Sequence, residues 1–326
     1  MPIVQAPLAG GASTPELAAA VSGAGGLGFL AAGYKTPDVV RAEVAAVRAL
    51  TGAAFGVNVF VPGAGPSDPA PVQRYARALR DAGLEPGEAR WEDDHWEAKV
   101  ELLLAERPAV ASFTFGCPSP DLVAALRGTG VEAWVTVTSP AEAASARAAG
   151  ADVLVAQGFE AGGHRAAFAD ESEGGYGLLA LLALLGGPDG AMPLVAAGAI
   201  ATAATVAAVL AAGARAAQAG TAFMRCPEAG TAPAHRDALA RPGATRLTRA
   251  FTGKPARGIR NRFMTDHEAL APGAYPELHH VTAPVRAAAR ERGDAEALNL
   301  WAGQAHELAP DLPAAQVVAL LAGGVR

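Results

Sequence analysis

His164 has the clearest capacity for acid–base chemistry in this sequence, because it follows two glycines in the segment QGFEAGGHRAAF. An imidazole titrates near neutral pH and can take a proton from a substrate. Gly162 and Gly163 allow close approach of the backbone, and Gln157 carries an amide that both donates and accepts hydrogen bonds. A single histidine is more often a surface or structural residue. Its position on a glycine loop after an apolar run favours a base.

Small residues follow two other apolar runs and form a candidate anion site. Gly198-Ala199 follows the run PLVAA and precedes an alanine-rich helix, and Gly220-Thr221 follows the run RAAQA. Small residues let backbone N–H groups approach an anion, and a helix N-terminus adds a favourable dipole. The pattern predicts a phosphate-bearing cofactor. Tight turns without a ligand are the alternative that these residues alone leave open.

Two more runs end in residues that we expect near the same site. The first ends in Gln5-Ala6-Pro7, whose backbone is expected close to the axis of the fold, and the third ends at Asn58, another amide. Cys117 follows the fourth run, but no base is adjacent to it in the sequence. We therefore expect a small pocket-lining residue there rather than a nucleophile.

Two other motifs do not support a function. Residues 23–28, GAGGLG, match G-x-G-x-x-G but precede a predicted strand, whereas a dinucleotide site requires a strand before the motif and a helix after it. The adjacent pair His279-His280 lacks the spacing of a helical metal site, and we predict no metal.

Eight short apolar runs separated by helical segments must position these residues. The runs are typical of buried parallel strands. A capping box is predicted where Ser139 and Glu142 flank the start of one helix. The pattern predicts the α/β class and a (β/α)₈ TIM barrel rather than an open doubly wound sheet. Active sites of such barrels lie at the carboxyl ends of the strands, with phosphates at the last two loops. The predicted strands are 2–6, 26–30, 54–60, 109–115, 131–137, 152–156, 193–197 and 215–219.

The pattern changes at residue 223. Residues 223–310 contain helical stretches without convincing strands, and include the basic segment TRLTRAFTGKPARGIRNRF. We predict a barrel of residues 1–222, to which 311–326 return, and a smaller, mainly helical lobe of 223–310 that caps the substrate site. The basic segment is either a solvated surface or attracts an anionic substrate, and the sequence does not decide between them.

Composition excludes several classes of protein. A chain of 326 residues, 51% hydrophobic, can bury the core of a barrel and a lobe. A net charge of −6 argues against a nucleic-acid partner. Two cysteines and the absence of a basic and apolar leader predict the cytoplasm. Residues 190–214 are uncharged and could in principle span a bilayer of roughly 30 Å, but Pro193, Gly198 and many alanines favour a strand and a helix, and we expect no membrane partner.

Several segments together resemble the nitronate monooxygenase family, and its class I branch most of all: QAPLAGGASTPELAAAVSGAGGLGFL, NVFVP, FTFGCP, AQGFEAGGHRAAF, VAAGAI, QAGTAF and ARGIRNRF. The resemblance covers nearly the whole chain. It implies a TIM barrel that holds FMN without a covalent bond. It also implies oxidation of alkyl nitronates, such as propionate 3-nitronate, by O₂ to a carbonyl compound and nitrite.

By motif match, His164 corresponds to the catalytic base of the family, and Tyr275 and His279 are the candidate substrate-binding residues. The family's glycine pair after the seventh strand is Gly198-Ala199 here, which is tolerable if φ of Ala199 is negative. His279 and Ala283 stand where a phenol and a lysine are expected. The candidate cofactor-binding residues are Gln5, Ala6, Pro7, Asn58, Gln157, Gly162, Gly163, Gly198, Ala199, Gln218, Ala219, Gly220 and Thr221.

Two other functions remain to be weighed against this one. An FMN-dependent reductase could use the same barrel to reduce quinones or enoyl thioesters with NAD(P)H. A non-catalytic flavin-binding protein would give His164 no evident reason to lie in its loop. The oligomeric state is left open, with a homodimer as one alternative.

Overall fold

The computed structural model describes residues 2–169, 175–186 and 192–323. Eight parallel strands lie in the order β1-β9-β8-β6-β5-β4-β3-β2. The barrel closes through a single bridge between Val4 and Leu27, beside two backbone hydrogen bonds of 2.9 Å. Every barrel strand lies within two residues of its predicted bounds, so the predicted TIM barrel is confirmed. The barrel strands are β1 (Ile3–Gln5), β2 (Gly28–Ala31), β3 (Phe55–Phe60), β4 (Val110–Thr114), β5 (Glu132–Val137), β6 (Val153–Gln157), β8 (Leu194–Ala197) and β9 (Ala216–Ala219).

Helices follow most strands, and side-chain caps fix several of their starts. Thr14, Ser119, Ser139 and Thr202 each accept a hydrogen bond from the backbone N–H three residues later. The helices are α1 (Pro15–Gly23), α2 (Pro37–Leu50), α3 (Pro69–Asp81), α4 (Trp96–Glu106), α5 (Pro120–Gly128), α6 (Pro140–Ala148), α7 (Leu178–Leu185), α8 (Ala203–Ala211), α9 (Pro233–Leu239), α10 (Arg262–His267), α11 (Glu277–Glu291) and α12 (Ala314–Ala322).

The capping box predicted at Ser139 is only half formed. Ser139 Oγ accepts from the N–H of Glu142 at 3.3 Å. The carboxylate of Glu142 accepts instead from the N–H of Thr138 and, at 2.9 Å, from the N–H of Phe168. Glu142 therefore ties the start of α6 to the end of β5 through Thr138 and to the loop after β6 through Phe168.

The lobe contains a small sheet that the sequence pattern did not predict. Strands β10 (Thr245–Thr248) and β11 (Ala256–Ile259) pair antiparallel, and β11 also pairs with β7 (Gly163–His164). The prediction of a region without strands was therefore wrong there. The sequence of these strands does not show the alternation of apolar and polar residues that predicts a strand. A charged residue, Arg257, occupies a buried position of β11. The pairing with β7 fixes the His164 loop against the lobe.

The lobe has its own hydrophobic cluster. Phe251, Phe263, Leu278 and Val281 pack there together with Tyr75 of α3. α3 lies between β3 and β4, inside the segment predicted to form the barrel, and the hydroxyl of Tyr75 donates to the carbonyl of Ala250 at 2.6 Å. The connection after β3 thus contributes to the lobe that covers the strand ends.

The uncharged stretch 190–214 contains β8 and α8 in its described part. Within the described ranges, no helix is long and apolar enough to cross a membrane. The last helix, α12, packs against α1, α8 and β1. The C-terminal segment therefore contacts the outside of the barrel.

Candidate active site

A cavity of about 240 Å³ lies between the carboxyl ends of the barrel strands and the lobe. The described residues that line it include Arg286, Arg290 and three histidines, but no Asp or Glu. Such a lining favours anionic ligands. The predicted site residues that line it are Ala6, Pro7, Asn58, Gln157, Gly162, Gly163, His164, Gly198, Ala199, Gln218, Gly220, Thr221 and His279.

Three predicted site residues lie behind the lining. Gln5 is fully buried, and its side-chain amide accepts from the N–H of Phe29 at 2.9 Å and donates to Ser13 Oγ at 3.1 Å. The carbonyl of Ala219 accepts from the N–H of Ala6 at 2.8 Å. The hydroxyl of Tyr275 donates to the hydroxyl of Tyr34 at 3.1 Å. These groups support the wall of the cavity.

The last two barrel strands end in backbone N–H groups that suit a phosphate. Ala199 and Ile200 follow β8, Gly220 and Thr221 follow β9, and all four line the cavity. Within the described ranges, their N–H groups donate to no acceptor of the protein. Buried or lining amides without a partner require a ligand or water. The N-terminus of α8 adds its dipole, so these residues fit the phosphate of a flavin.

Ala199 departs from the conformation that the sequence argument required. Its φ is +51°, in the left-handed region, and the preceding Gly198 has φ +133°. The sequence analysis required a negative φ at Ala199, and the structure does not meet this condition. The turn brings two successive amides to the cavity, and a residue with a Cβ bears a cost of about 1–2 kcal/mol in this region.

His164 lies against the lobe with an aromatic ring on three sides. Its ring centroid is 5.7 Å from that of Phe115, 6.0 Å from Tyr275 and 5.5 Å from Trp301. Burial, with the charges of Lys254 and Arg286, lowers the pKa of His164 to about 3. The imidazole is therefore neutral at physiological pH, with one ring nitrogen unprotonated.

Thr252 fixes which ring nitrogen of His164 carries the proton. Thr252 Oγ1 lies 2.9 Å from His164 Nε2, and its hydroxyl donates to the carbonyl of Lys254 at 3.3 Å. We assign the ring proton to Nε2, so that Thr252 accepts from Nε2–H while its own hydroxyl donates to the carbonyl of Lys254. The arrangement leaves Nδ1 as the basic nitrogen.

The loop that carries His164 is held by side chains on both sides. Gln157 Nε2 donates to the carbonyl of His164 at 3.0 Å, and its Oε1 accepts from the N–H of Ala166 at 2.9 Å. Arg165 donates to the carbonyl of Gly158, and Arg257 donates to the carbonyl of Phe159. A rigid base is the result, because these bonds fix the backbone before and after it.

Gly162 lines the cavity and also lies close to the backbone of the lobe. A Cβ at this position would lie 2.4 Å from the backbone nitrogen of Gly303. The absence of a side chain therefore lets the lobe segment 302–303 pass close to the loop.

Asn58 and His279 present polar groups to the cavity. Asn58 Nδ2 donates to Ser112 Oγ at 2.9 Å and to Thr114 Oγ1 at 3.0 Å, so its Oδ1 is the group left for a ligand. His279 stacks face to face on Tyr34, with ring centroids 3.9 Å apart. Burial, with Arg286 and neighbouring histidines, lowers the pKa of His279 to about 2, and the ring is neutral.

Some cations of the basic segment lie near the site and others form structural or surface contacts. Lys254 Nζ lies 4.7 Å from the centre of the Phe115 ring, close to the site. Arg257 is a structural residue of the loop, and Arg262 lies 4.0 Å from the carboxylate of Asp294 on the surface. One cation of the segment thus adds positive potential near His164.

Cys117 does not line the cavity. Its Sγ lies 3.9 Å from the carbonyl of Ser145, and burial raises its pKa. The expectation of a pocket-lining residue was therefore wrong, and the raised pKa keeps the thiol protonated at neutral pH. Among the described residues, no group of histidine, cysteine and carboxylate side chains could hold a metal ion.

Several residues of the site were missed by sequence reasoning. They come from loops far apart in the chain, and no spacing relates them. The available signals in the sequence are the single tyrosine after β2, Tyr34, and the segment LWAGQ, which contains Trp301. The missed residues are Tyr34, Phe115, Thr252, Arg286 and Trp301.

These features define a (β/α)₈ barrel with a cluster of free backbone amides after its last two strands and a buried imidazole after the sixth. A family model described as nitronate monooxygenase matches residues 1–323. The chain belongs to this family, whose members are flavin-dependent oxidoreductases.

The similarity to relatives extends over more than nine tenths of their lengths. A nitronate monooxygenase of Pseudomonas aeruginosa is 42% identical, with 100% of this chain and 96% of the relative covered. One of Paraburkholderia phytofirmans is 40% identical, with 98% and 91% covered. The crystal structure of a nitroalkane oxidase from Streptomyces ansochromogenes is 49% identical, with a TM-score of 0.96 and coverage of 100% and 95%.

Proposed function

We propose that this protein is an FMN-dependent nitronate monooxygenase that oxidises alkyl nitronates, such as propionate 3-nitronate, with O₂ to a carbonyl compound and nitrite. Family membership supports the reaction class. The observation that carries the proposal is the cavity lining, which combines the neutral imidazole of His164 with cations and, among its described residues, no carboxylate. A small anion is the substrate that such a site accepts.

FMN is the flavin that the phosphate site favours. The four free amides after β8 and β9 form one cluster, which suits a single phosphate. The backbone of Ala6 and Pro7 and the Oδ1 of Asn58 would contact the rest of the cofactor. When bound, the flavin supplies the electron transfer from nitronate and the reaction with O₂.

His164 would orient the substrate and hold a proton at Nδ1. A nitronate already lacks the proton that a base would remove, so His164 mainly positions the anion. A neutral nitroalkane requires deprotonation, and Nδ1 is the nitrogen free to accept it. Phe115, Tyr275 and Trp301 exclude water around the ring.

The reaction is tested with purified holoprotein and propionate 3-nitronate without NADH. We expect a yellow protein that consumes O₂ and releases nitrite. Rapid NADH oxidation without any nitronate turnover would overturn the proposal and favour the FMN-dependent reductase of quinones or enoyl thioesters.

Replacement of His164 by Asn tests the role of the base. The variant should retain the flavin but lose turnover of nitroethane far more than turnover of ethyl nitronate, which is already deprotonated. His95→Asn is the matched control, since His95 is exposed and its φ of +56° suits Asn. Unchanged nitroethane turnover in His164→Asn would exclude His164 as the base.

The cytoplasm stays the location predicted from the sequence.

A further inference from the structure

Arg286 is a guanidinium in the cavity wall that neutral groups hold in place. It lies on α11, where Nε donates to Thr282 Oγ1 at 3.2 Å and Nη2 donates to the carbonyl of His279 at 2.9 Å. Nη2 also lies 3.3 Å from His279 Nδ1. The hydroxyl of Thr282 in turn donates to the carbonyl of Phe251. The side chain is therefore fixed before any ligand binds.

The charge of Arg286 has no counter-ion among the described residues. No carboxylate in the described ranges forms an ion pair with it, and none lines the cavity. A largely buried cation without a partner is costly unless a ligand supplies the opposite charge. Burial lowers the pKa of Arg286 to about 10, so the side chain remains protonated at neutral pH. Its charge also reaches the reacting centre, since it contributes to the low pKa of His164.

His279 adds a neutral donor beside this charge. A guanidinium can only donate, so His279 Nδ1 accepts from Arg286 and the ring proton lies on Nε2. The stacked ring of Tyr34 holds His279 in this orientation. The positive charge of the pair therefore stays on Arg286.

We propose that Arg286 is a specificity-determining residue that binds the anionic oxygens of the substrate, so that the cavity selects nitronates over the neutral nitroalkanes. The inference rests on the proposed function. Nη1 is the end of this guanidinium whose two N–H groups donate to no acceptor among the described residues, and it can donate to a pair of anionic oxygens. Such a pair is present in the nitronate group itself and in a carboxylate elsewhere in the substrate, and the choice of substrates separates the two.

The experiment compares holoenzymes of wild type, Arg286→Met, Arg286→Gln and Arg286→Lys with ethyl nitronate, propionate 3-nitronate and nitroethane. Arg286→Met should lower kcat/KM for a nitronate by about 10- to 100-fold, mainly through KM, because a charge-assisted hydrogen bond is lost. Turnover of nitroethane should change less than about threefold, since the uncharged substrate forms no such bond. Arg286→Lys should recover most of the loss.

Arg292→Met is the control, because Arg292 is an exposed cation at the end of the same helix. It should behave as wild type. A loss with both nitronates supports the proposal and assigns the nitronate group to Arg286, whereas a loss with propionate 3-nitronate alone would assign the carboxylate to Arg286 and overturn the selection of nitronates. An equal loss with nitroethane, or no loss, would overturn it.

A binding measurement separates this inference from the proposed reaction. Nitrate is a planar oxyanion that the enzyme cannot oxidise, and its binding to holoprotein is followed by calorimetry. We expect weaker binding in Arg286→Met and Arg286→Gln than in wild type and Arg292→Met. If Arg286→Met does not fold, Arg286→Gln, which retains donors toward His279, decides the result. Unchanged nitrate binding would overturn the inference even if nitronates are oxidised.

Discussion

Replacement of Ala199 by glycine, which removes one methyl group, should stabilise the protein. Its φ of +51° costs an L-residue about 1–2 kcal/mol, whereas glycine adopts this region freely. Glycine also loses more backbone entropy on folding, by about 0.5–1 kcal/mol. The difference predicts that Ala199→Gly raises the free energy of unfolding by about 0.5–1 kcal/mol. For a chain of this size that is a rise in Tm of about 1–2 °C.

The matched control is Ala212→Gly. The same methyl group is removed there, but Ala212 follows α8 with a φ of −77°, where an L-residue is not strained. There glycine should lower the free energy of unfolding by about 0.5–1 kcal/mol. Both variants are measured by urea denaturation and thermal unfolding of holoprotein in excess FMN. Flavin affinity should be retained in Ala199→Gly, because the amide donors remain. A destabilisation of Ala199→Gly equal to that of Ala212→Gly would refute the strain argument.

Three further predictions follow from the site. Thr252→Val should lower kcat with ethyl nitronate and Thr252→Ser should restore it, because the hydroxyl positions the ring of His164 through Nε2; equal rates in the two variants would contradict this role of the hydroxyl. The free energy of unfolding should fall as pH drops below about 6.5, by up to about 1.4 kcal/mol per pH unit for each histidine with a lowered pKa, since only the unfolded chain takes up the proton. Urea titrations of wild type and His235→Asn at several pH values check this. Burial lowers the pKa of His235 to about 4, so the variant should show a shallower dependence of the free energy of unfolding on pH. An unchanged dependence would contradict the role given to His235. Cys117→Ser should retain full activity, and a large loss would restore Cys117 as a catalytic candidate.

Sequence reasoning predicted the barrel well for a physical reason. Parallel strands buried on both faces are continuous apolar runs, and capped helices separate them at regular spacing. Strands β10 and β11 do not follow this rule. Each carries an arginine within four residues, and the buried Arg257 donates to the carbonyl of Phe159 and to Thr245 Oγ1.

The site was predictable only where one segment carries several of its groups. Gln157 and His164 lie in one segment, and the structure joins them by a hydrogen bond of 3.0 Å. Thr252 and Arg286 act through contacts with residues distant in the chain, and no local pattern marks them. The φ of Ala199 was also beyond the sequence, because an alanine normally signals the opposite backbone region.

The central claim is that electrons enter the flavin of this protein from a nitronate. Anaerobic stopped-flow mixing of holoprotein with ethyl nitronate and, separately, with NADH tests it most directly. We expect rapid loss of oxidised flavin absorbance with the nitronate and little change with NADH. Rapid reduction by NADH with no response to the nitronate would contradict it.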